Sequence, residues 1–266
     1  MPLNDIAPTT TLSVVFLGSG SSGNATAVRW SGGTVLLDCG FSARETMRRL
    51  AEHAIPAEEI RAILVTHEHG DHVRGVRVLA SRLGVPVYAT RGTLHASRLE
   101  REAADTRVVC AGEQIAIDSL EVTTFAVSHD ATEPVGFRFR SPDGVTLGVV
   151  TDTGHLTPEA AEALSGCNLL GIECNHDVEM LTGGPYPWFL KQRILSTRGH
   201  LSNDAAGDAV RVLAHDVLES VFALHISRQN NVPGLAVSAV TQALAELGLE
   251  VPVTPVAQDC ACACTR

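Results

Sequence analysis

The chain is poor in aromatic residues, which make up 4% of its 266 positions. A surface that stacks several nucleobases in succession therefore has little to be built from. It is also short of positive charge: 20 lysines and arginines stand against 30 aspartates and glutamates, a formal balance of −10. That composition excludes a grip on long nucleic acid made mainly by an extended basic surface, while a local basic site stays open. No run approaches the roughly eighteen uninterrupted apolar residues of a membrane helix, and no basic stretch precedes an apolar one at the N-terminus. A cytoplasmic protein without membrane contact is expected. The seven cysteines are odd in number and scattered, apart from Cys260, Cys262 and Cys264 near the end, so no disulfide framework is implied. That trio lacks a fourth soft ligand and reads as part of a mobile tail.

What is present suits a folded α/β chain. Apolar residues reach 45% and charged ones only 19%, enough to bury a core. One domain over 1–266 is expected, with 1–10 and 257–266 as mobile ends. Short β-branched runs at 13–17, 26–30, 34–37, 62–66, 86–89, 120–127, 136–140, 146–150, 168–172, 220–224 and 250–255 read as strands. The SPDG turn at 141–144 predicts a hairpin between two of them. Helices are expected at 42–53, 73–83, 157–164, 203–214 and 235–247, the first and third opened by Ser42 and Thr157 as caps. The order predicts two mixed sheets rather than one doubly wound sheet. The stretch 175–187, with GGPYP in its middle, reads as a long loop over a site.

Eleven histidines in so acidic a chain need an explanation, and the run Thr66-His67-Glu68-His69-Gly70-Asp71-His72 supplies most of it. It directly follows the apolar run 62–65. In extended backbone His67 and His69 project to the same side and can hold one cation. Gly70 permits a turn, after which Asp71 and His72 can face a second. Asp38, His129, Asp152, Glu173 and His225 each follow an apolar run as well, and the carboxyl ends of strands are where α/β sheets build sites.

Together these residues resemble the metallo-β-lactamase superfamily: THEHGDH is similar to its HxHxDH signature, and Asp38, His129, Asp152 and His225 to its other motifs, over 13–256. The resemblance implies a four-layer αββα sandwich, two mixed sheets flanked by helices, with two divalent metal ions at one edge. It further implies that His67, His69 and His129 hold the first metal, that Asp71, His72 and His225 hold the second, that Asp152 bridges them, and that Asp38 orients the cluster. The segments FLGSGSSGNATAV, DCGFS, GHLSNDAAGD and HISRQNNVP are similar to the YycJ/WalJ-like branch, bacterial nucleic-acid phosphodiesterases with a proposed 5′ to 3′ DNA exonuclease activity. A looser likeness to tRNA 3′-processing endonucleases breaks down at 172–175, which is not HEAT, and at the missing tRNA-binding arm.

The implied chemistry is attack on phosphorus by a hydroxide bridging two cations about 3.5–4 Å apart. An aspartate has two oxygens and can bridge, which suits Asp152, and a mixed carboxylate and imidazole set accepts zinc or manganese. Asp71 is counted among the catalytic groups. By analogy His200 is the candidate general acid or phosphate ligand, with Glu173 orienting it. Ser21, Ser22 and Asn24 in the glycine-rich loop 18–24, with Arg228 and Asn231 after His225, are the candidate substrate contacts. Nucleic acid is the expected substrate, DNA ahead of RNA. The competing reading is a small-molecule hydrolase of the same fold, cleaving a thioester or a lactam.

Overall fold

Alternation along single strands sets the architecture. In β1 (Ser13–Gly18), Val14 and Phe16 enter one apolar cluster while Val15 and Leu17 enter another. That is the two-residue period of a strand buried on both faces. The structure is a computed structural model that describes residues 12–103 and 105–265, and its strands form two seven-stranded sheets.

In the first sheet β1 is followed by β2 (Ala25–Trp30), β3 (Gly33–Leu37), β4 (Ile60–Leu64), β5 (Val87–Ala89) and β6 (Thr106–Val108). The first three pair antiparallel, and β3 to β6 pair parallel. The second sheet repeats that plan. Its members β7 (Gln114–Ile117), β8 (Leu120–Ala126), β9 (Val135–Arg140) and β10 (Thr146–Val150) are antiparallel neighbours. From β10 the pairing turns parallel through β11 (Leu169–Glu173), β12 (Ser220–Leu224) and β13 (Val253–Pro255). The β9–β10 hairpin is the one the SPDG turn predicts.

Between the sheets lies an apolar layer containing Phe16, Leu37, Leu64, Phe137, Phe139 and Leu147, in which the rings of Phe16 and Phe222 approach to 4.8 Å. Helices cover the outer faces. On the first sheet these are α1 (Ala43–Glu52), α2 (Gly70–Val73), α3 (Val76–Leu83), α4 (Arg91–Ala96) and α5 (Leu99–Glu102). The second half adds α6 (Pro158–Leu164), α7 (Val178–Gly183), α8 (Trp188–Ile194), α9 (Asn203–Leu213) and α10 (Pro233–Glu246), of which α6, α9 and α10 pack on the second sheet. The result is the expected helix–sheet–sheet–helix sandwich. Ser42, Thr157 and Ser202 each accept a backbone N–H three residues on, which fixes where α1, α6 and α9 begin. No helix among the described residues is long and apolar enough to cross a membrane.

Three expectations are corrected. The helix expected over 73–83 is broken at Gly75, whose N–H bonds to the Cys39 carbonyl at 2.8 Å and where a Cβ would stand 2.3 Å from the Phe41 carbonyl. The stretch 175–187 is not all loop, because Asp177 accepts from the Met180 N–H and starts α7. The end expected to be mobile holds β14 (Cys262–Thr265), antiparallel to β1 from Ser13↔Thr265 to Phe16↔Cys262. Cys262 and Cys264 pack against the layer between the sheets, so two of the terminal cysteines serve as small apolar side chains. The other expected mobile end, 1–10, lies outside the described residues.

The C-terminal segment also fastens the loop 18–24. Buried Gln258 donates to the Gly23 carbonyl at 2.6 Å and accepts from the Ser22 N–H at 2.9 Å. Gln258→Ala strands both partners and is expected to lower the unfolding free energy by about 1–3 kcal/mol. Urea denaturation tests this against the exposed Gln242→Ala, for which no comparable loss is expected.

Candidate metal centre

Six strand ends converge on one rim. Asp38 directly follows β3, Thr66 to His72 follow β4, His129 follows β8, Asp152 follows β10, Glu173 closes β11 and His225 follows β12. Asp38, Asp152 and His225 sit in the left-handed region, at φ 60°, 54° and 52°. Asp and His enter that region more readily than branched residues do. Three such turns at one rim mean that the surroundings hold conformations the chain alone would leave.

The side chains fall into two groups. In the first, His67 Nε2 lies 3.1 Å from His69 Nδ1, and His129 Nε2 lies 3.3 Å from the same atom. In the second, Asp71 Oδ2 lies 3.7 Å from His72 Nε2 and 3.5 Å from His225 Nε2. Asp152 stands between, with its oxygens 3.2 Å from His72, 3.7 Å from His225 and 3.9 Å from His129. Each of these sets is close enough to share a cation.

The far ring nitrogens are already engaged. His72 Nδ1 meets Asp38 Oδ2 at 2.7 Å, and Thr66 Oγ1 lies 3.0 Å from His67 Nδ1. Asp38 in turn accepts from the Thr66 N–H at 2.9 Å. His129 Nδ1 meets the Gly199 carbonyl at 3.0 Å, and His225 Nδ1 lies 3.2 Å from both Glu173 and Asn175. Four imidazoles are thus held so that Nε2 faces the centre, the arrangement by which outer partners orient metal-binding histidines.

The electrostatics favour a cation. Burial, reinforced by the charge on His72, holds His67 well below the ordinary imidazole range, and burial lowers His129 too; both stay neutral, the form that ligates. Burial opposes charge on His72 and His225 as well, but Asp38 and Asp152 raise the former well above its usual range, and Asp152, Asp71 and Glu173 push the latter to about 10. Burial would raise Asp152, yet His225 and His72 drive it far down. Neutral lone pairs facing one another beside buried carboxylates form a donor set that fits divalent metal.

Glu173, fully buried, accepts from the Thr153 and Leu201 N–H groups and meets His200 Nδ1 at 2.7 Å. His200 also lies 3.6 Å from Asp152. Burial opposes its charge, and Glu173 overcomes this and raises it. Sequence reasoning missed Thr66, Asn175 and Gly40. Gly40 has a readable role only in three dimensions: its Cβ would stand 1.6 Å from the Asp71 carbonyl.

The substrate candidates separate. Ser21 and Ser22 are exposed at the turn between β1 and β2. Asn24 is not open to a substrate, because it is buried with Oδ1 accepting from Ser19 and Gly20 and Nδ2 lying 3.1 Å from His72. Asn231 is likewise buried, donating to the Cys174 carbonyl and bonded to Asn203. Arg228 is exposed but paired with Asp259, which draws its guanidinium to the C-terminal segment rather than to the histidines.

Residues 33–226 match the model of the Beta-lactamase superfamily domain. The chain belongs to that superfamily. Within it, the chain is 36% identical over 238 residues to an exodeoxyribonuclease, YycJ, of Bacillus anthracis, covering 88% of this chain and 90% of that one. It is equally similar, 36% over 242 residues, to the exodeoxyribonuclease WalJ of Streptococcus pneumoniae, covering 89% and 90%. In fold it resembles the metallo-beta-lactamase fold protein YhfI of Bacillus subtilis, with a TM-score of 0.72 at 15% identity and 95% and 99% of the two chains covered.

The pH response of chelator-treated protein follows from these charges. Raised groups such as His225 stabilise the fold fully below about 6.5, and that stabilisation is lost as pH rises through about 10. Lowered imidazoles such as His67 act oppositely, losing stability as pH falls below 6.5, and Glu173 adds a further loss from 4.5 toward about 2. Urea midpoints are expected to peak near pH 6.5 and to fall on both sides. A midpoint at alkaline pH equal to the neutral one contradicts this charge arrangement.

Proposed function

We propose that the chain is a metal-dependent phosphodiesterase of nucleic acid and, within that class, a DNA exonuclease working from the 5′ end. The observation that carries this is a complete nitrogen and oxygen donor set at the strand-end rim of a chain similar, over nearly its whole length, to two exodeoxyribonucleases. In this reading His67, His69 and His129 would hold one divalent ion, Asp71, His72 and His225 would hold a second, and Asp152 would serve both, with zinc or manganese suiting the mixed set. When bound, the ions supply Lewis acidity that activates water and offsets the negative charge of the phosphate.

The chain's own residues do the rest. Asp38 and Thr66 keep the Nδ1 sides of His72 and His67 occupied, so neither ring can turn away from the centre. Glu173 holds His200 at Nδ1 and favours its charged form, which leaves Nε2 to deliver a proton to the departing sugar oxygen. Ser21 and Ser22, exposed on a glycine-rich turn, offer their hydroxyls as phosphate contacts, the Ser22 N–H being already given to Gln258.

The test is hydrolysis of bis-p-nitrophenyl phosphate and of end-labelled DNA and RNA, with metal content measured in parallel. His67→Ala and Asp152→Ala are expected to lose both metal and activity, and parental rates in both variants would sink the assignment. Asp38→Ala is expected to lower metal affinity about 10–100-fold. His200→Ala should retain metal while kcat on DNA falls about 10²–10⁴-fold. Opening of S-lactoylglutathione without cleavage of any phosphodiester would replace the proposal with a thioesterase.

A further inference from the structure

The aromatic residues are few, and their placement is uneven. Of seven Phe, two Trp and two Tyr, eight are buried. The other three, Tyr186, Trp188 and Phe189, fall within four positions around the start of α8, with Trp188 66% and Phe189 72% exposed. No other large apolar side chain among the described residues is as exposed as either.

These rings are carried on an anchored element. Lys191, buried in α8, donates to the Thr182 and Gly184 carbonyls at 2.7 and 2.8 Å, and Ile194 is buried beneath the helix. Phe189 and Arg193 are four residues apart and share one helix face. Arg193 is bonded to Asp130, whose Oδ1 lies 3.3 Å from His129 Nε2. Phe189 is therefore about one helical turn, ~5.4 Å, from an arginine joined to the candidate centre through one carboxylate. Arg198 adds a second cation on this side, donating through Nε and Nη2 to the His129 carbonyl at 3.2 and 3.1 Å.

We propose that Phe189, with Trp188 beside it, is a base-stacking subsite for one strand of a nucleic-acid substrate whose phosphates lie against Arg193 and Arg198. This rests on the phosphodiesterase reading and names the part of the substrate that reading leaves unspecified. An aromatic face accepts any base, so such a subsite binds without reading sequence. Arg193, one turn from Phe189, offers guanidinium N–H groups beyond its pairing with Asp130, and Arg198, which bonds a carbonyl and so keeps its charge, matches a phosphate backbone as neither an apolar peptide nor a neutral lipid surface would. One or two rings on the helix that carries Arg193 also fit a chain too poor in aromatics to stack many bases.

Steady-state kinetics of the full-length, metal-loaded protein on single-stranded oligodeoxynucleotides test this. Phe189→Ala is expected to raise KM about tenfold with kcat little changed, Phe189→Trp to restore it, and Phe189→Leu not to. An oligonucleotide lacking the bases next to the cleaved phosphate should penalise the parent by the same factor and leave Phe189→Ala no worse than the parent. Parental KM in both Phe189→Ala and Trp188→Ala, with DNA still cleaved, overturns the subsite and leaves the phosphodiesterase reading standing. So does a Phe189→Ala penalty that persists on the abasic substrate. A parent that cleaves no polynucleotide overturns both.

Discussion

The rim is organised around one fully buried carboxylate. Asp152 lies 2% exposed between the exits of two sheets, with four imidazoles 3.2–3.9 Å from its oxygens. An isolated carboxylate cannot remain charged in such a place, since burial alone would neutralise it. It stays charged because His72 and His225 carry protons or share a metal there, and those two are kept in place by Asp38 and Glu173. Protons and metal ions are alternative ways of balancing the same buried negative charge. The folded cluster therefore exists in a form that a divalent cation can enter by displacing protons, with little rearrangement of side chains already fixed from behind.

The outer ring of contacts does as much as the inner one. Asn24 Nδ2 lies 3.1 Å from His72 Nε2, Ser19 accepts the His225 N–H at 2.9 Å, and Asn175 donates to the His225 carbonyl. Ser19 and Asn24 come from the loop after β1 and Asn175 from the one after β11, and because Ser19 reaches His225 at the end of β12 the cluster couples the two sheets. The close approach of Gly40 to the Asp71 carbonyl belongs to the same coupling. A loop that reads as a phosphate cradle by its glycines is, in its buried half, a brace for two histidines, and only its Ser21–Ser22 tip is free to meet a ligand.

The parts legible in the sequence were those governed by local rules. Apolar runs ending in Asp, Glu or His located six strand ends and the residues on them, because a strand's direction delivers its last residue to a known edge. The hairpin, the caps of α1 and α6 and the two-sheet plan were legible for the same reason. Arg228 and Asn231 were not, since their partners, Asp259 in one case and Asn203 and the Cys174 carbonyl in the other, lie far along the chain. β14 was hidden because the alternation Cys260-Ala261-Cys262-Ala263-Cys264, though it has a strand's two-residue period, is carried by small side chains of weak strand preference. Its pairing with β1 is a contact 251 positions apart, beyond the reach of any window.

Net charge illustrates how a global quantity misleads about a local site. A balance of −10 argues against a broad polyanion surface, yet the cations on the α8 side, Arg193 and Arg198, are both tied directly to the His129 loop, one through Asp130 and one through the His129 carbonyl. Over distances longer than the screening length of roughly 8 Å the acidic surface is largely invisible to a phosphate already at the rim. What that phosphate meets is set by the nearest groups: two guanidiniums, the imidazoles and whatever cations they hold. The acidic balance of −10 disfavours lengthwise adsorption on duplex, while Arg198, bonded to a carbonyl and not to a carboxylate, keeps a positive charge beside the His129 loop for a single phosphate.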